Sequence, residues 1–162
     1  MQSLENIMLI TDLDGTLLPS SKEISAADAA AISQFRAKGG KFAIATGRTL
    51  QAAQRYLNKL KPNIPVILFN GAAIYDPVTE KWLYTEKLPA DAVAVTRQVL
   101  DAFPDVSAEI LRTDGTYVAR MTPYEKEHLE ICQVEPILAE PEEIPEGGSR
   151  CCLRLHRSEC RI

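Results

Sequence analysis

The chain has 162 residues, of which 46% are hydrophobic and 25% are charged, and its formal net charge is −4. This length and composition are typical of a globular protein with one domain, or one domain and part of a second, around a real hydrophobic core. The negative charge argues against a nucleic-acid partner, and no apolar stretch approaches the ~20 residues that a membrane-spanning helix needs.

Alternating strands and helices are predicted in the first half of the chain. Residues 6–12 are a nearly continuous apolar run that ends in an acid, which is typical of a strand buried on both faces of a parallel sheet. Ser25 predicts a helix N-cap, with Asp28 in the first turn, and the alanine-rich helix after it should end at Gly39 and Gly40. In chain order, the predicted elements are a strand over 6–12 (NIMLITD), a helix over 26–38, a strand over 41–46 (KFAIAT), a helix over 50–60 and a strand over 65–69 (PVILF).

This order of elements is the pattern of a doubly wound parallel sheet, so the predicted fold class is α/β with a partial Rossmann-like core. In such sheets, ligands bind beyond the carboxyl ends of the strands. Polar residues and glycines follow all three predicted strands at those ends, namely Asp12, Asp14, Thr46, Gly47, Asn70 and Gly71. The sequence therefore predicts one site at one edge of the sheet.

The pattern changes after residue 71. We predict a hairpin over 72–86, a helix over about 90–103, a second hairpin over 107–120, and a surface loop rich in proline and glutamate over 136–148. This is α+β material, and we interpret it as a separate module. The predicted domains are 1–75, which is the first half of the α/β core, 76–148, which is a partial α+β module, and 149–162, which is a tail.

Two carboxylates one residue apart at the end of the first strand suggest a chemical role. An aspartate carboxylate, which has a reference pKa of ~3.9, is ionised at neutral pH and can attack phosphorus to give an acyl-phosphate, and this is the role that we consider for Asp12. Asp14 can stand beside it as general acid and base if its pKa is raised towards neutrality. Gly15 and Thr16 offer backbone N–H groups to phosphate oxygens. Because two acids repel a phosphate, a divalent cation is needed, and Mg²⁺ on oxygen ligands fits best.

Three short motifs carry a family resemblance. DLDGT at 12–16 resembles the first motif of the haloacid dehalogenase superfamily of phosphotransferases, and ATGR at 45–48 resembles its second motif. FNGA at 69–72, followed by the α+β module, is similar to the Cof-type sugar-phosphatase branch, in which this module is a large cap. The resemblance covers about 7–148. It implies Mg²⁺-dependent hydrolysis of a small sugar phosphate or related metabolite through an aspartyl-phosphate.

The resemblance also implies roles for individual residues. Asp12 would be the nucleophile and a metal ligand, and Asp14 would be the general acid/base, with its backbone carbonyl on the metal. Thr46 would hold the transferred phosphoryl group. The phosphate- or substrate-binding residues that it implies are Leu13, Gly15, Thr46, Gly47, Arg48, Asn70 and Gly71.

Simpler interpretations of the same residues stay open. The two acids could form a solvated turn after a core strand. Arg48 could make a surface salt bridge instead of contacting a substrate, and Asn70 with Gly71 could form only a turn. His128 and His156 are expected in solvent.

The chain departs from the family pattern after the predicted cap. The resemblance requires a lysine that neutralises the nucleophile and phosphate, and a Gly-Asp-x-x-x-Asp type motif that completes the metal site. Neither is found, and no Gly-Asp pair occurs in the sequence. We therefore expect a truncated chain that is weakly active or inactive. Two core strands beyond the first strand would also be missing, which would leave an exposed sheet edge and a route to a homodimer.

The last segment, 149–162 (SRCCLRLHRSECRI), differs in composition from the rest of the chain. A nucleotide string that encodes it gives KVLFAAPPERMPD when it is read two bases later, which is an apolar strand followed by a loop. We therefore interpret this tail as a frameshift product. Cysteines occur at 132, 151, 152 and 160, and this spacing matches no disulfide framework or zinc ligand pattern. A reduced, cytoplasmic protein is predicted.

Two other classes of protein are alternatives to a phosphatase. A non-catalytic phosphate-binding or interaction module could dimerise by pairing its exposed sheet edge with another chain. A two-component receiver domain also places acids after its first strand. Its phospho-acceptor aspartate follows the third strand, however, where this chain has Asn70.

Overall fold

The computed structural model describes residues 3–144 and 150–157. The chain divides into two compact units, unit 1 (Met1–Thr85) and unit 2 (Glu86–Ile162). No described helix has both the length and the apolar character needed to cross a lipid bilayer. The domain boundaries predicted near residues 75 and 148 stay predictions.

Unit 1 is an α/β unit. Its described elements are β1 (Met8–Thr11), α1 (Ala26–Ala37), β2 (Lys41–Ile44), α2 (Leu50–Leu60), β3 (Val66–Leu68), β4 (Ala73–Asp76) and β5 (Lys81–Thr85). β1 and β2 pair in parallel, and a parallel bridge between Ala45 and Ile67 continues this order to β3. β3, β4 and β5 then follow as antiparallel neighbours. The α/β class and the βαβαβ order of the first half are confirmed.

Side-chain caps define where both helices of unit 1 begin. The hydroxyl oxygen of Ser25 accepts a hydrogen bond from the Asp28 N–H at 3.0 Å, so α1 begins at the predicted residue. The hydroxyl of Thr49 accepts from the Ala52 N–H at 3.1 Å and starts α2 directly after the loop that follows β2. The buried residues of α2 recur at helical spacing and form one face, which contains Ala52, Ala53, Tyr56, Leu57 and Leu60.

β1 is exposed, although its sequence predicts burial on both faces. Met8, Leu9 and Ile10 are 57%, 41% and 47% exposed, whereas Phe42, the ladder partner of Leu9, is fully buried. Among the described strands, β1 pairs only with β2, so its other edge has backbone groups without a ladder partner. The prediction of burial is therefore wrong, because an apolar run shows suitability for burial and not whether anything covers the strand. The predicted exposed edge is found.

Unit 2 is an α+β unit. Its described elements are α3 (Ala92–Ala102), β6 (Val106–Arg112), β7 (Gly115–Val118), α4 (Pro123–Cys132), β8 (Pro136–Leu138) and β9 (Arg150–Arg157). The strand order is β8-β7-β6-β9, in which β8 runs parallel to β7 and the other pairs are antiparallel. The predicted helix and second hairpin are confirmed.

Three elements of unit 2 differ from the sequence predictions. No helix was predicted where α4 lies, between the second hairpin and the proline-rich segment. β8 falls within the segment predicted as a loop, and β9 falls within the predicted tail. Residues 145–149 and 158–162, which complete those two segments, lie outside the described residues. Whether the tail is a frameshift product stays a prediction.

Candidate functional site

Backbone hydrogen bonds join the loop after β2 to the turn after β3. The N–H of Thr46 donates to the Ile67 carbonyl at 3.0 Å. In return, the N–H groups of Phe69 and Asn70 donate to the carbonyls of Arg48 and Thr46 at 3.1 and 3.2 Å. These bonds hold the carboxyl ends of β2 and β3 together, as the parallel order predicts.

A cavity of about 410 Å³ lies at these strand ends. Its lining residues are Asp12, Ala45, Thr46, Gly47, Ile67, Asn70 and Gly71. Thr46 is buried, and its hydroxyl oxygen accepts a hydrogen bond from the Arg48 N–H at 3.2 Å. That hydrogen bond uses only a lone pair of the hydroxyl oxygen. The O–H group of Thr46 therefore stays available to donate a hydrogen bond of its own. Asp12 thus lines the same cavity as four other predicted site residues, namely Thr46, Gly47, Asn70 and Gly71.

The turn after β3 has an unusual backbone. Phe69, Asn70 and Gly71 have positive φ values of 53°, 55° and 98°. This region suits glycine and asparagine but is unfavourable for phenylalanine, which here is buried and packs on Trp82 with ring centroids 6.0 Å apart. A Cβ atom added to Gly47 would lie 2.5 Å from Asn70 Oδ1, so the glycine permits the close approach of the two loops.

The sequence predicts that this cavity binds phosphate, and on that prediction Gly47→Ala should weaken the binding by up to about tenfold, which is the loss of roughly one hydrogen bond. The new methyl group would displace the Asn70 side chain from the cavity. Asn70→Gly should weaken binding to a similar extent, and the double variant should lose no more than either single variant. Titration with inorganic phosphate, followed by calorimetry, measures the four affinities. Additive losses in the double variant would contradict this coupling.

Asp14, the second acid of the motif, is held by two cations. Its carboxylate accepts from Arg48 Nε and Nη2 at 2.7 and 2.9 Å and from Lys22 Nζ at 2.8 Å. The Arg48 side chain is 8% exposed, and its guanidinium lies 5.2 Å from the centroid of the Tyr56 ring. Arg48 therefore makes a salt bridge, which was the simpler of its two interpretations, but this salt bridge is largely buried.

The pKa of Asp14 differs from the sequence-based expectation. Hydrogen bonding to Arg48, and to a smaller extent to Lys22, holds the pKa of Asp14 well below its ordinary value of 3.8, against the opposing effect of partial burial. A general acid would need a raised pKa. In the arrangement described, Asp14 is therefore ionised at neutral pH and can accept a proton but has none to donate.

This pair should make stability depend on pH in the acid range. Because the folded pKa of Asp14 is lowered, the pair stabilises the fold above pH 3.8, and the contribution is lost as the pH falls below that value. Arg48→Gln should therefore destabilise unit 1 clearly at about pH 7 and much less at about pH 2. Lys22→Gln is the control and should have a smaller effect, because Lys22 is more exposed. Urea unfolding at several pH values measures this, and an Arg48→Gln effect that is constant with pH would contradict it.

The remaining predicted site residues lie in the turn after β1. The N–H groups of Gly15 and Thr16 donate to the carbonyls of Leu18 and Leu13 at 3.3 and 3.4 Å. The predicted pair of free N–H groups for phosphate is therefore not found, because the turn uses them internally. The Leu13 side chain is fully buried, so only its backbone could reach a ligand. Gly15, with a φ of 74°, permits the turn.

Sequence reasoning missed Lys22 as a neighbour of the site. It lies in a polar stretch of the sequence without a motif. In the structure, its backbone has a positive φ of 57°. Its carbonyl accepts from the Tyr56 hydroxyl at 3.0 Å, which links the segment before α1 to α2. Nothing in the local sequence indicates a contact between residues so far apart.

Comparison with known proteins shows what this chain is similar to. A family model described as haloacid dehalogenase-like hydrolase matches residues 9–146. The 5-amino-6-(5-phospho-D-ribitylamino)uracil phosphatase YitU of Bacillus subtilis (strain 168) is 30% identical over 125 residues, which are 75% of this chain and 44% of that protein. The chain thus spans less than half the length of this curated relative.

Solved structures share the fold. A haloacid dehalogenase-like hydrolase from Bacteroides thetaiotaomicron superposes with a TM-score of 0.76 at 20% identity, over 88% of this chain and 55% of that chain. The subclass IIB sugar phosphatase BT4131 superposes with a TM-score of 0.69 at 23% identity, over 85% of this chain and 54% of that chain.

Proposed function

The chain belongs to the haloacid dehalogenase-like hydrolase family, and from this premise we propose that it hydrolyses phosphate monoesters, at a low rate, through an aspartyl-phosphate on Asp12. The proposed substrate is a small sugar phosphate or related phosphorylated metabolite. The observation that carries the proposal is the cavity at the strand ends, which Asp12 and Thr46 both line. The family match favours this function over a non-catalytic phosphate-binding module.

In the first proposed step, a carboxylate oxygen of Asp12 attacks phosphorus, the ester P–O bond breaks, and the alcohol leaves with a proton from Asp14. In the second step, Asp14 takes a proton from a water molecule, which attacks the acyl-phosphate and releases inorganic phosphate and the Asp12 carboxylate. The Thr46 hydroxyl donates a hydrogen bond to a phosphoryl oxygen. Preorganised donors of this kind provide most of the catalysis in phosphoryl transfer.

The contacts of Asp14 with Arg48 and Lys22 must weaken before Asp14 can carry a proton. A phosphate dianion accepts bidentate hydrogen bonds from a guanidinium as well as a carboxylate does. Arg48 directly follows Gly47, which lines the cavity. We propose that bound phosphate draws Arg48 away from Asp14, so that the pKa of Asp14 rises when the substrate is present.

The donor set near Asp12 fits Mg²⁺, because carboxylate, carbonyl and hydroxyl oxygens are the ligands that this cation prefers. The Asp12 carboxylate and the backbone carbonyl of Asp14 would hold it. The Asp14 carboxylate is occupied by Arg48 and Lys22 and is not available to the metal in this arrangement. When bound, Mg²⁺ would neutralise the charge between the acids and the phosphate.

Hydrolysis of a panel of phosphate esters tests the proposal. The panel comprises p-nitrophenyl phosphate, common sugar phosphates and the ribitylamino phosphate that names the Bacillus relative. We expect release of inorganic phosphate that depends on Mg²⁺ and stops with EDTA. No release from any ester, together with no phosphorylation of Asp12, would overturn the proposal. A cytoplasmic location stays part of the proposal.

We further propose that two copies associate through the exposed edge of β1, where Ile10 is 47% exposed. Ile10→Lys should then shift the protein to a monomer, because a charged side chain on an edge strand opposes strand pairing. Val78→Lys is the control, since Val78 is 67% exposed in the turn between β4 and β5. Sedimentation equilibrium measures the shift. A monomeric wild type, or equal effects of both substitutions, would contradict the dimer.

A further inference from the structure

The sheet of unit 2 has one apolar face and one polar face. Ile110 and Leu153 pack on the apolar face with Tyr117 and Ile144. Because side chains alternate along a strand, Glu109 of β6 points to the opposite face. In the ladder between β6 and β9, Glu109 pairs with Arg154, and Ser107 pairs with His156. The polar face therefore carries an acid, a cation and an imidazole from two neighbouring strands.

Helix α4 adds further metal-ligating side chains to this face. Glu125, His128 and Cys132 recur at helical spacing, so they lie on one side of α4. His128 Nε2 is 3.9 Å from Glu109 Oε1, and the ring centroids of His128 and His156 are 4.8 Å apart. His156 Nε2 is 3.3 Å from Glu109 Oε2. The prediction that both histidines lie in solvent is wrong, since their side chains are 23% and 12% exposed.

Glu125 is a second, independent indication of a missing ligand. It is fully buried, and neither of its carboxylate oxygens makes a hydrogen bond to a described residue. Its Oε2 lies 3.9 Å from His156 Nε2.

The cation of this polar face, Arg154, contacts two of the candidate ligands. Its Nη1 lies 3.2 Å from Glu109 Oε2 and 3.3 Å from His128 Nε2, between two of the candidate ligand atoms. A guanidinium can only donate, so His128 Nε2 accepts this hydrogen bond through its lone pair. An imidazole nitrogen with a free lone pair is also the form that binds a metal ion. The Arg154 side chain is 29% exposed, so it can turn towards solvent when another cation arrives.

We propose that Glu109, His128 and His156 form a binding site for a zinc-type divalent cation in unit 2. Their ligand atoms all lie within 4.8 Å of one another, and a small inward movement brings them to the spacing of a tetrahedral site, in which metal–nitrogen distances are about 2.0–2.1 Å. Two imidazoles and a carboxylate select Zn²⁺ over Mg²⁺, which prefers oxygen ligands alone.

Two further side chains, those of Glu125 and Cys132, lie beside the proposed ligands. Glu125 orients His156 or supplies a fourth ligand, and Cys132 Sγ lies 3.8 Å from His128 Nε2. The site is independent of the proposed function, whose residues all belong to unit 1. Arg154 and His156 fall within the predicted frameshifted tail, so the site is a property of this chain as its sequence stands.

Calorimetric titration of the full chain with Zn²⁺, in the presence of a non-thiol reductant, tests the proposal. We expect one Zn²⁺ per chain, and at least about 100-fold weaker binding in His128→Ala and in His156→Ala. Arg154→Gln should bind more tightly than wild type, because the competing cation is removed. Co²⁺ should give the intense visible absorption of a four-coordinate site, and a thiolate band that disappears in Cys132→Ser would identify the fourth ligand.

Two controls keep the test decisive. Glu127→Gln removes an exposed acid from the same helix and should leave the affinity unchanged. Circular dichroism shows whether each variant folds. If a histidine variant does not fold, tighter binding by Arg154→Gln still supports the site, because loss of structure cannot increase affinity at a folded site. Binding unaffected by both histidine substitutions, or no tightening in Arg154→Gln, would overturn the proposal.

Discussion

Asp12→Asn is expected to lower the weak phosphate-monoester hydrolysis of the chain to the uncatalysed rate and to abolish its phosphorylation. The carboxylate is the proposed nucleophile, and the neutral amide of asparagine attacks phosphorus poorly. Thr46 lines the same cavity, but a neutral hydroxyl is a weaker nucleophile than an ionised carboxylate. Initial rates with p-nitrophenyl phosphate at fixed Mg²⁺ concentration measure the effect.

A matched substitution separates this effect from a general loss of negative charge. Asp101→Asn makes the same chemical change on the exposed surface of α3 and should leave the rate unchanged. Circular dichroism should show the same secondary structure for both variants, since the Asp12 side chain is exposed and contributes little to the core. An Asp12→Asn variant as active as wild type would exclude Asp12 as the nucleophile.

Phe42→Ala is expected to lower the free energy of unfolding of unit 1 by about 3–5 kcal/mol. The Phe42 side chain is fully buried in β2, and its backbone N–H donates to Asn63 Oδ1 at 2.8 Å. Because β2 leads directly to Thr46, a cavity at this position should also loosen the candidate site. Urea unfolding monitored by Trp82 measures the loss, since this is the single tryptophan of the chain and lies in β5 of unit 1.

Leu9→Ala is the matched control for Phe42→Ala. The two residues are partners in the ladder between β1 and β2, but Leu9 is 41% exposed. Its truncation should therefore cost less, about 1–2 kcal/mol, because a large part of the side chain stays in water when the chain folds. Equal losses for the two variants would show that β1 is covered in solution, and would contradict the exposed edge.

Local signals in the sequence were sufficient for the first half of the fold. Ser25 and Asp28 form the cap that starts α1, and α2 runs over Leu50–Leu60 as its pattern predicts. The convergence of strand ends also follows from topology alone, because parallel strands joined by helices end at the same edge. Asp12 and Thr46 accordingly line one cavity.

What the sequence did not reveal depends on contacts between distant residues. Nothing local indicates that Asp14 pairs with Arg48 and Lys22, and this pairing reverses the expected direction of its pKa shift. Burial of His156 against Glu109 likewise depends on the ladder between β6 and β9. Both are tertiary effects that periodicity and motifs do not encode.

The most direct test of the central claim is mass spectrometry of the chain after treatment with acetyl phosphate and Mg²⁺. If Asp12 takes phosphorus from an ester or anhydride, one phosphoryl group will be found on the peptide that contains Asp12, and hydroxylamine will release it as expected for an acyl-phosphate. Beryllofluoride should protect the same peptide. A chain that stays unmodified under these conditions, or carries the phosphoryl group on a different residue, would contradict the account.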